Sequence, residues 1–130
     1  MNMIRKKPPL RSGILRAPKR EFPKHRAFIR RHACSVPGCE NRTIECAHVR
    51  TGTDGGTSLK PHDRWTLPLC GPGFVNGEAV EGHHREQHRL GEASFERKYG
   101  IDMKEIAKEF AKRSPDTNMK EAMMTERNNG

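Results

Sequence analysis

The stretch Leu69-Cys70-Gly-Pro-Gly-Phe-Val-Asn-Gly-Glu-Ala-Val-Glu-Gly-His83-His84-Arg85-Glu86-Gln87-His88 decides the fold. It holds three of the seven histidines and one of the four cysteines. His84 and His88 stand four apart, so on a helix they project from one face like a pair of metal ligands. Cys70 and His83 are free to face a second ion. Between them, residues 71–82 carry four glycines and no helical period, and they read as a loop of unassigned function. Gly91 stops a helix that opens at His83, at the position a helix C-cap prefers.

Working outward, composition limits what the rest of the chain can be. A length of 130 residues with 32% hydrophobic content and a mean hydropathy of -0.93 implies one domain with a small core. Small cores need a staple of disulfides or metal. No run of about 18 apolar residues is present, so a membrane span is excluded. The charged N-terminus lacks an apolar region after it, which argues against a secretory signal and for a cytoplasmic protein. Cytoplasmic thiols stay reduced, so zinc is the better expectation for the cysteines. Charge is uneven: residues 1–31 hold 11 Lys/Arg against the single acid Glu21, a formal +10, while the remainder holds 14 against 15. A basic arm on a near-neutral domain points to a polyanion partner, or in the blander reading to a solvated tail.

Residues 1–24 contain Pro8, Pro9, Pro18 and Pro23 and no apolar period, and they read as a disordered basic arm. Phe28 and Ile29 then anchor it to the domain. Cys34-Ser-Val-Pro-Gly-Cys39 is a tight loop whose Pro37 and Gly38 let two thiolates converge, like half of a zinc knuckle. Residues 43–49 alternate and read as a strand, with Ile44, Cys46 and His48 on one face and Glu45, Ala47 and Val49 on the other. Cys46 is either a small core residue, the preferred reading, or a zinc ligand. Residues 50–62 form a long glycine-containing loop. Residues 65–67 supply a second strand, whose pairing Pro68 is expected to end. Downstream, residues 92–99 form a helix ended by Gly100, and Asp102 caps a last helix with its apolar stripe at Met103, Ile106, Ala107 and Phe110. From Ser114 onward periodicity fades, and 114–130 reads as a mobile tail. His25 and His62 are given no role beyond surface or hydrogen-bonded histidines.

A Cys pair, a strand ending near His48, a loop, Asp63, a strand into Cys70 and a helix opening with His83-His84 follow in that order. This order resembles the HNH (ββα-metal, His-Me finger) endonuclease superfamily, closest to small HNH-like nucleases of phages and prophages, among them recombination-enhancement nucleases. The resemblance runs over 25–102 and rests on 32–39, Ile-Glu-Cys-Ala-His-Val-Arg (44–50), 52–56, Lys-Pro-His-Asp-Arg-Trp (60–65), 69–70, His-His-Arg-Glu-Gln-His-Arg (83–89) and 91–102. It implies an α+β, zinc-stapled ββα-metal domain over 25–113 with additional C-terminal helices.

The resemblance also implies roles. His48 activates water against a phosphodiester, and a near-neutral imidazole suits that task. Asp63 either orients His48 or helps to hold metal. Cys34, Cys39, Cys70 and His83 hold a structural zinc, and a Cys3His set is ordinary for tetrahedral zinc. His84 and His88 hold a catalytic divalent ion such as Mg²⁺. Arg50, Arg85 and Arg89 are candidate phosphate contacts, against the alternative that exposed helix arginines only solvate. The implied activity is metal-dependent DNA hydrolysis in a bacterial host or from a phage, with DNA and possible recombinase partners. Two departures stand out: Cys70 and His83 are far more widely spaced than the usual two intervening residues, and Ala47 replaces an acidic ligand before His48. The rival reading is a non-catalytic zinc module that binds nucleic acid through its arm.

Overall fold

Alternation over residues 44–48 gives strand β1 (Ile44–His48), which pairs antiparallel with β2 (Thr66–Cys70). The structure, a computed structural model, describes residues 19–55 and 59–129. Residues 1–18, most of the expected basic arm, and 56–58 of the long loop lie outside the described residues. The architecture is α+β, with five helices and two small two-stranded sheets among the described residues.

On one face of the β1–β2 pair, Ala47 sits opposite Leu67, and Leu69 follows two residues on. All three are fully buried, and with Val49, Val36, Phe95 and Met103 they form the main core. Helix α1 (Pro23–Arg30) packs against both strands and brings Arg26 and Arg30 beside Cys46 and His48. Its first amides have no local cap. Two buried carboxylates from distant segments take that part: Asp63 accepts from Phe22 N at 2.6 Å, and Asp116 accepts from His25 N at 3.2 Å.

Contrary to the sequence expectation, Pro68 does not end the pairing but sits opposite Cys46 in the middle of β2. Its carbonyl accepts from Ser35 N at 2.9 Å, on the side away from β1. In an antiparallel pair a residue's N and C=O point the same way, so the missing N–H of Pro68 costs no ladder bond.

The loop reading of 71–82 is also corrected. Strands β3 (Gly73–Val75) and β4 (Glu78–Val80) form a hairpin whose turn, Asn76-Gly77, has φ of 53° and 82°. Positive φ at both turn residues is the twist-matched hairpin geometry that Asn-Gly favours. The ends of the hairpin meet: a Cβ on Gly82 would lie 2.4 Å from the Gly71 carbonyl. The long insertion therefore closes on itself and returns the chain to Cys70.

Helices α2 (His83–Leu90), α3 (Glu92–Tyr99) and α4 (Met103–Arg113) follow the expected limits. The Asp102 side chain accepts from Glu105 N at 3.2 Å, as the cap reading requires. Glu86 ties α2 to α3 by accepting from Tyr99 OH at 2.6 Å and pairing with Lys98. The segment expected to be a mobile tail carries helix α5 (Thr117–Asn129). Asp116 accepts from Met119 N at 3.1 Å, and the buried Met119 packs with Phe22 and Ala111. Phe22 and Arg20, placed in the arm by sequence, are part of this fold: Arg20 Nη2 donates to Lys60 O at 2.8 Å. No helix among the described residues is long and apolar enough to cross a membrane.

Candidate metal centre and histidine cleft

Four side chains far apart in sequence converge where the Cys34–Cys39 loop, the end of β2 and the start of α2 meet. The ligand atoms of Cys34, Cys39, Cys70 and His83 all lie within 4.8 Å of one another. His83 Nδ1 is 3.4 Å from Cys34 Sγ and 3.2 Å from Cys70 Sγ, and the Cys39 and Cys70 sulfurs are 3.7 Å apart. Tetrahedral zinc with Zn–S of about 2.3 Å and Zn–N of about 2.0 Å requires S···S near ~3.8 Å and S···N near ~3.5 Å. The cluster fits such an ion, and it could bind a metal such as zinc.

The surroundings agree with that use. All four cysteines are free thiols. Burial pushes the Cys34 thiol up to about 12 and also raises the Cys70 thiol, and a bound cation is what would favour their thiolates. Burial also lowers the His83 pKa, which leaves its imidazole neutral with a lone pair to donate. Its ring is held edge-on to Tyr99 with centroids 5.0 Å apart, and its backbone N–H donates to Cys70 Sγ at 3.1 Å. Cys46 stays outside the cluster. It is half-buried, bonded to Thr66, and burial pushes its thiol up to about 11.

A second constellation lies in an open cleft of about 450 Å³ between α1, β1 and α2. His48 and Asp63, 15 residues apart, meet there: Nε2 is 2.8 Å from Oδ1. Asp63 is only 2% exposed. Burial opposes its ionisation, but hydrogen bonds from His48 and Phe22 N and the Arg26 guanidinium outweigh burial and hold its carboxyl below the usual range. An ionised carboxylate only accepts, so His48 Nε2 donates, and in the neutral imidazole Nδ1 is then the nitrogen with the lone pair. Arg26 Nη1 donates to the other oxygen at 2.5 Å. Asp63 is thereby fixed from three sides, and it fixes the His48 ring in turn.

His84 and His88 project from one face of α2 into the same cleft, with their Nε2 atoms 3.3 Å apart. His84 Nδ1 donates to Glu45 Oε1 at 2.8 Å. A carboxylate on one imidazole nitrogen fixes the tautomer and leaves the other nitrogen as ligand, the pattern of metal-bound histidines. Gly71 makes room for this contact, since a Cβ there would lie 2.3 Å from Glu45 Oε2.

The cleft gathers most of the residues singled out by sequence and adds others. Arg50 lines it, and Arg85 lines a smaller depression beside His84 and His88. Arg89 is not among the lining residues; it is exposed and paired with Glu81 at 2.5 Å. Arg26, Arg30, Lys60 and Glu45 line the cleft and were not legible as site residues. The i, i+4 spacing of Arg26 and Arg30 was their signal, while strand alternation set Glu45 on the face opposite His48. Among its described lining residues the cleft thus carries four Arg/Lys side chains and three histidines, with Glu45 as the one acid. His25 and His62 are fully buried outside it: His25 Nδ1 lies 2.7 Å from Ser114 Oγ, and His62 Nδ1 accepts from Arg64 N at 3.0 Å.

No curated protein and no solved structure matches the chain. A family model does match, over residues 4–116, and the chain belongs to that family, described as "Protein of unknown function (DUF968)".

Proposed function

We propose that the protein is a metal-dependent endonuclease of the HNH (ββα-metal) type that hydrolyses DNA phosphodiester bonds, with a zinc held by Cys34, Cys39, Cys70 and His83. The observation that carries this reading is the shared cationic cleft, in which the Asp63-oriented His48 faces the Glu45-oriented His84 and the adjacent His88. The order of β1, β2 and α2 supports it, as does the closure of the β3–β4 hairpin, which accounts for the wide Cys70–His83 spacing.

Each residue has a task in this chemistry. Arg30, Arg50 and Lys60 attract the phosphodiester and compensate its charge. Asp63 holds His48 with Nδ1 unprotonated. That atom accepts the proton of the attacking water as the new P–O bond forms, and the strand breaks at the leaving oxygen. His84 and His88 are the residues that would hold a divalent ion such as Mg²⁺, with Glu45 setting the His84 tautomer. Such an ion supplies polarisation of the phosphoryl oxygens and stabilisation of the leaving oxygen. The orienting role of Asp63 is favoured over a ligand role, because both its oxygens already accept hydrogen bonds in a buried pocket. A link to phage recombination remains part of the proposal through the HNH-like resemblance alone.

The test is nicking of supercoiled plasmid by zinc-loaded protein. Conversion to open circles upon adding Mg²⁺ or Mn²⁺, and none without them, is the expected result. Retention of plasmid without cleavage under all metals would leave the zinc-containing binding module instead.

A further inference from the structure

The hairpin between Cys70 and His83 has a feature that its closing role does not need. Phe74 and Ala79 pair on one face of β3–β4, and Phe74 is 72% exposed. Val75 and Val80, on the opposite face, are half-buried and line the hollow beside Cys39 and His83. The inward face thus packs, while the outward face holds a large aromatic in solvent.

The backbone that carries Phe74 packs closely against its neighbours. A Cβ on Gly73 would lie 2.8 Å from Asn41 Oδ1 and 2.9 Å from Thr43 Oγ1, so β3 presses directly on the 41–43 segment. Asn41 Nδ2 donates to Gly71 O at 2.8 Å, and Gly71 N donates to Thr43 O at 2.8 Å. The tight Asn76-Gly77 turn fixes the other end.

Beside Phe74 runs an open groove of about 980 Å³, whose walls include Arg30, Arg31 and Arg42. Glu40 is the one acid among its described lining residues. None of the three arginines is ion-paired among the described residues. Arg30 lines this groove and the histidine cleft alike, so the two depressions share a wall. A cationic track ending at an exposed aromatic is what a nucleic-acid strand with free base faces requires. Along its length a duplex keeps its base faces stacked and closed to Phe74.

We propose that the groove carries an unpaired DNA strand out of the histidine cleft, with its phosphates on Arg30, Arg31 and Arg42 and a base stacked on Phe74. The substrate class would then be DNA with a single-stranded segment next to the cut. The identity of the polymer rests on the nuclease reading above; the place of the strand rests on the hairpin and groove.

The test is binding by full-length zinc-loaded protein, without Mg²⁺ or Mn²⁺, at fixed salt. Fluorescence anisotropy compares a labelled duplex bearing a short unpaired tail with the blunt duplex of the same sequence. Wild type should prefer the tailed duplex. Phe74→Ala should weaken tailed binding by about tenfold, the scale of one lost base stack, and leave blunt binding unchanged. Phe74→Trp should restore the preference, and 2-aminopurine in the tail should be quenched by wild type but not by Phe74→Ala. Equal binding of both duplexes by wild type, or an unchanged preference in Phe74→Ala, overturns the proposal while plasmid nicking still stands. Tail binding without any nicking overturns the nuclease reading alone. A tail bound only as RNA, or a wild-type dimer that Phe74→Ala makes monomeric with binding unchanged, also overturns the single-strand proposal.

Discussion

The two histidine constellations of α2 begin on adjacent residues and are built on opposite plans. His83 turns to Cys34, Cys39 and Cys70, and the four ligand atoms close around one point. His84, next in sequence, turns to Glu45 and His88 in a cleft open to solvent. A closed set of four sulfur and nitrogen donors leaves no position for substrate, whereas an open pair does. One helix start therefore serves two purposes: the first histidine is suited to stapling the fold and the second to facing chemistry.

The comparison is broken most severely at the closed site. Cys70→Ser should abolish zinc retention, measured by elemental analysis as about one ion per chain in wild type, and the cooperative melting transition with it. Metal binding and folding are one equilibrium in small metal-stapled domains, and a structural zinc worth about 10–16 kcal/mol would be comparable to the whole stability of about 5–15 kcal/mol. A variant that melts as wild type does would make the cluster dispensable.

At the open site the expected effect is functional and smaller. Glu45→Gln removes the carboxylate that orients His84 but leaves the core untouched. The Mn²⁺ concentration for half-maximal nicking should rise about ten- to a hundredfold, with zinc content and melting temperature retained. An unchanged metal requirement would remove Glu45 from the site.

How much of this was legible follows from which features are local. Helices α2, α3 and α4 could be placed from Gly91, Gly100 and Asp102, because caps act within one turn. Asn76-Gly77 is the sequence mark of the β3–β4 hairpin, but its three-residue strands are too short for alternation to register. Among its described side chains helix α5 buries Met119 fully and the rest only in part, which leaves little periodicity in the sequence. Pro68 misled because its effect depends on which side of β2 the neighbour lies. The same holds in the site. The His84–His88 pair is visible as an i, i+4 spacing, whereas the approach of Glu45 to His84 spans 39 residues and needs the bare Gly71 surface. The convergence of Cys34, Cys39, Cys70 and His83 was anticipated through the HNH-like resemblance, and spacing alone argued against it.

A gentler difference between the regions concerns acid. Behind the cleft, burial lowers the His25 pKa from 6.5 to about 4, against the attraction of Asp63 and Asp116 and with help from His62. The unfolded chain therefore binds a proton at His25 that the folded chain refuses. Stability is full above about pH 6.5 and falls as pH drops toward 4, by about 3 kcal/mol over that window. His25→Gln keeps a polar partner for Ser114 and should lose this part of the pH dependence in urea unfolding. Any release of metal at low pH would be common to both proteins and cancel in the difference. Identical pH profiles would contradict the assignment.

In the proposed nuclease His48 performs chemistry that the Cys34, Cys39, Cys70 and His83 cluster does not. The most direct measurement is plasmid nicking by His48→Ala, with zinc content and melting temperature recorded on the same preparation. The predicted result is a loss of cleavage of about a hundredfold or more, with one zinc per chain and the wild-type transition preserved. Cleavage at the wild-type rate by that folded, zinc-loaded variant would contradict it.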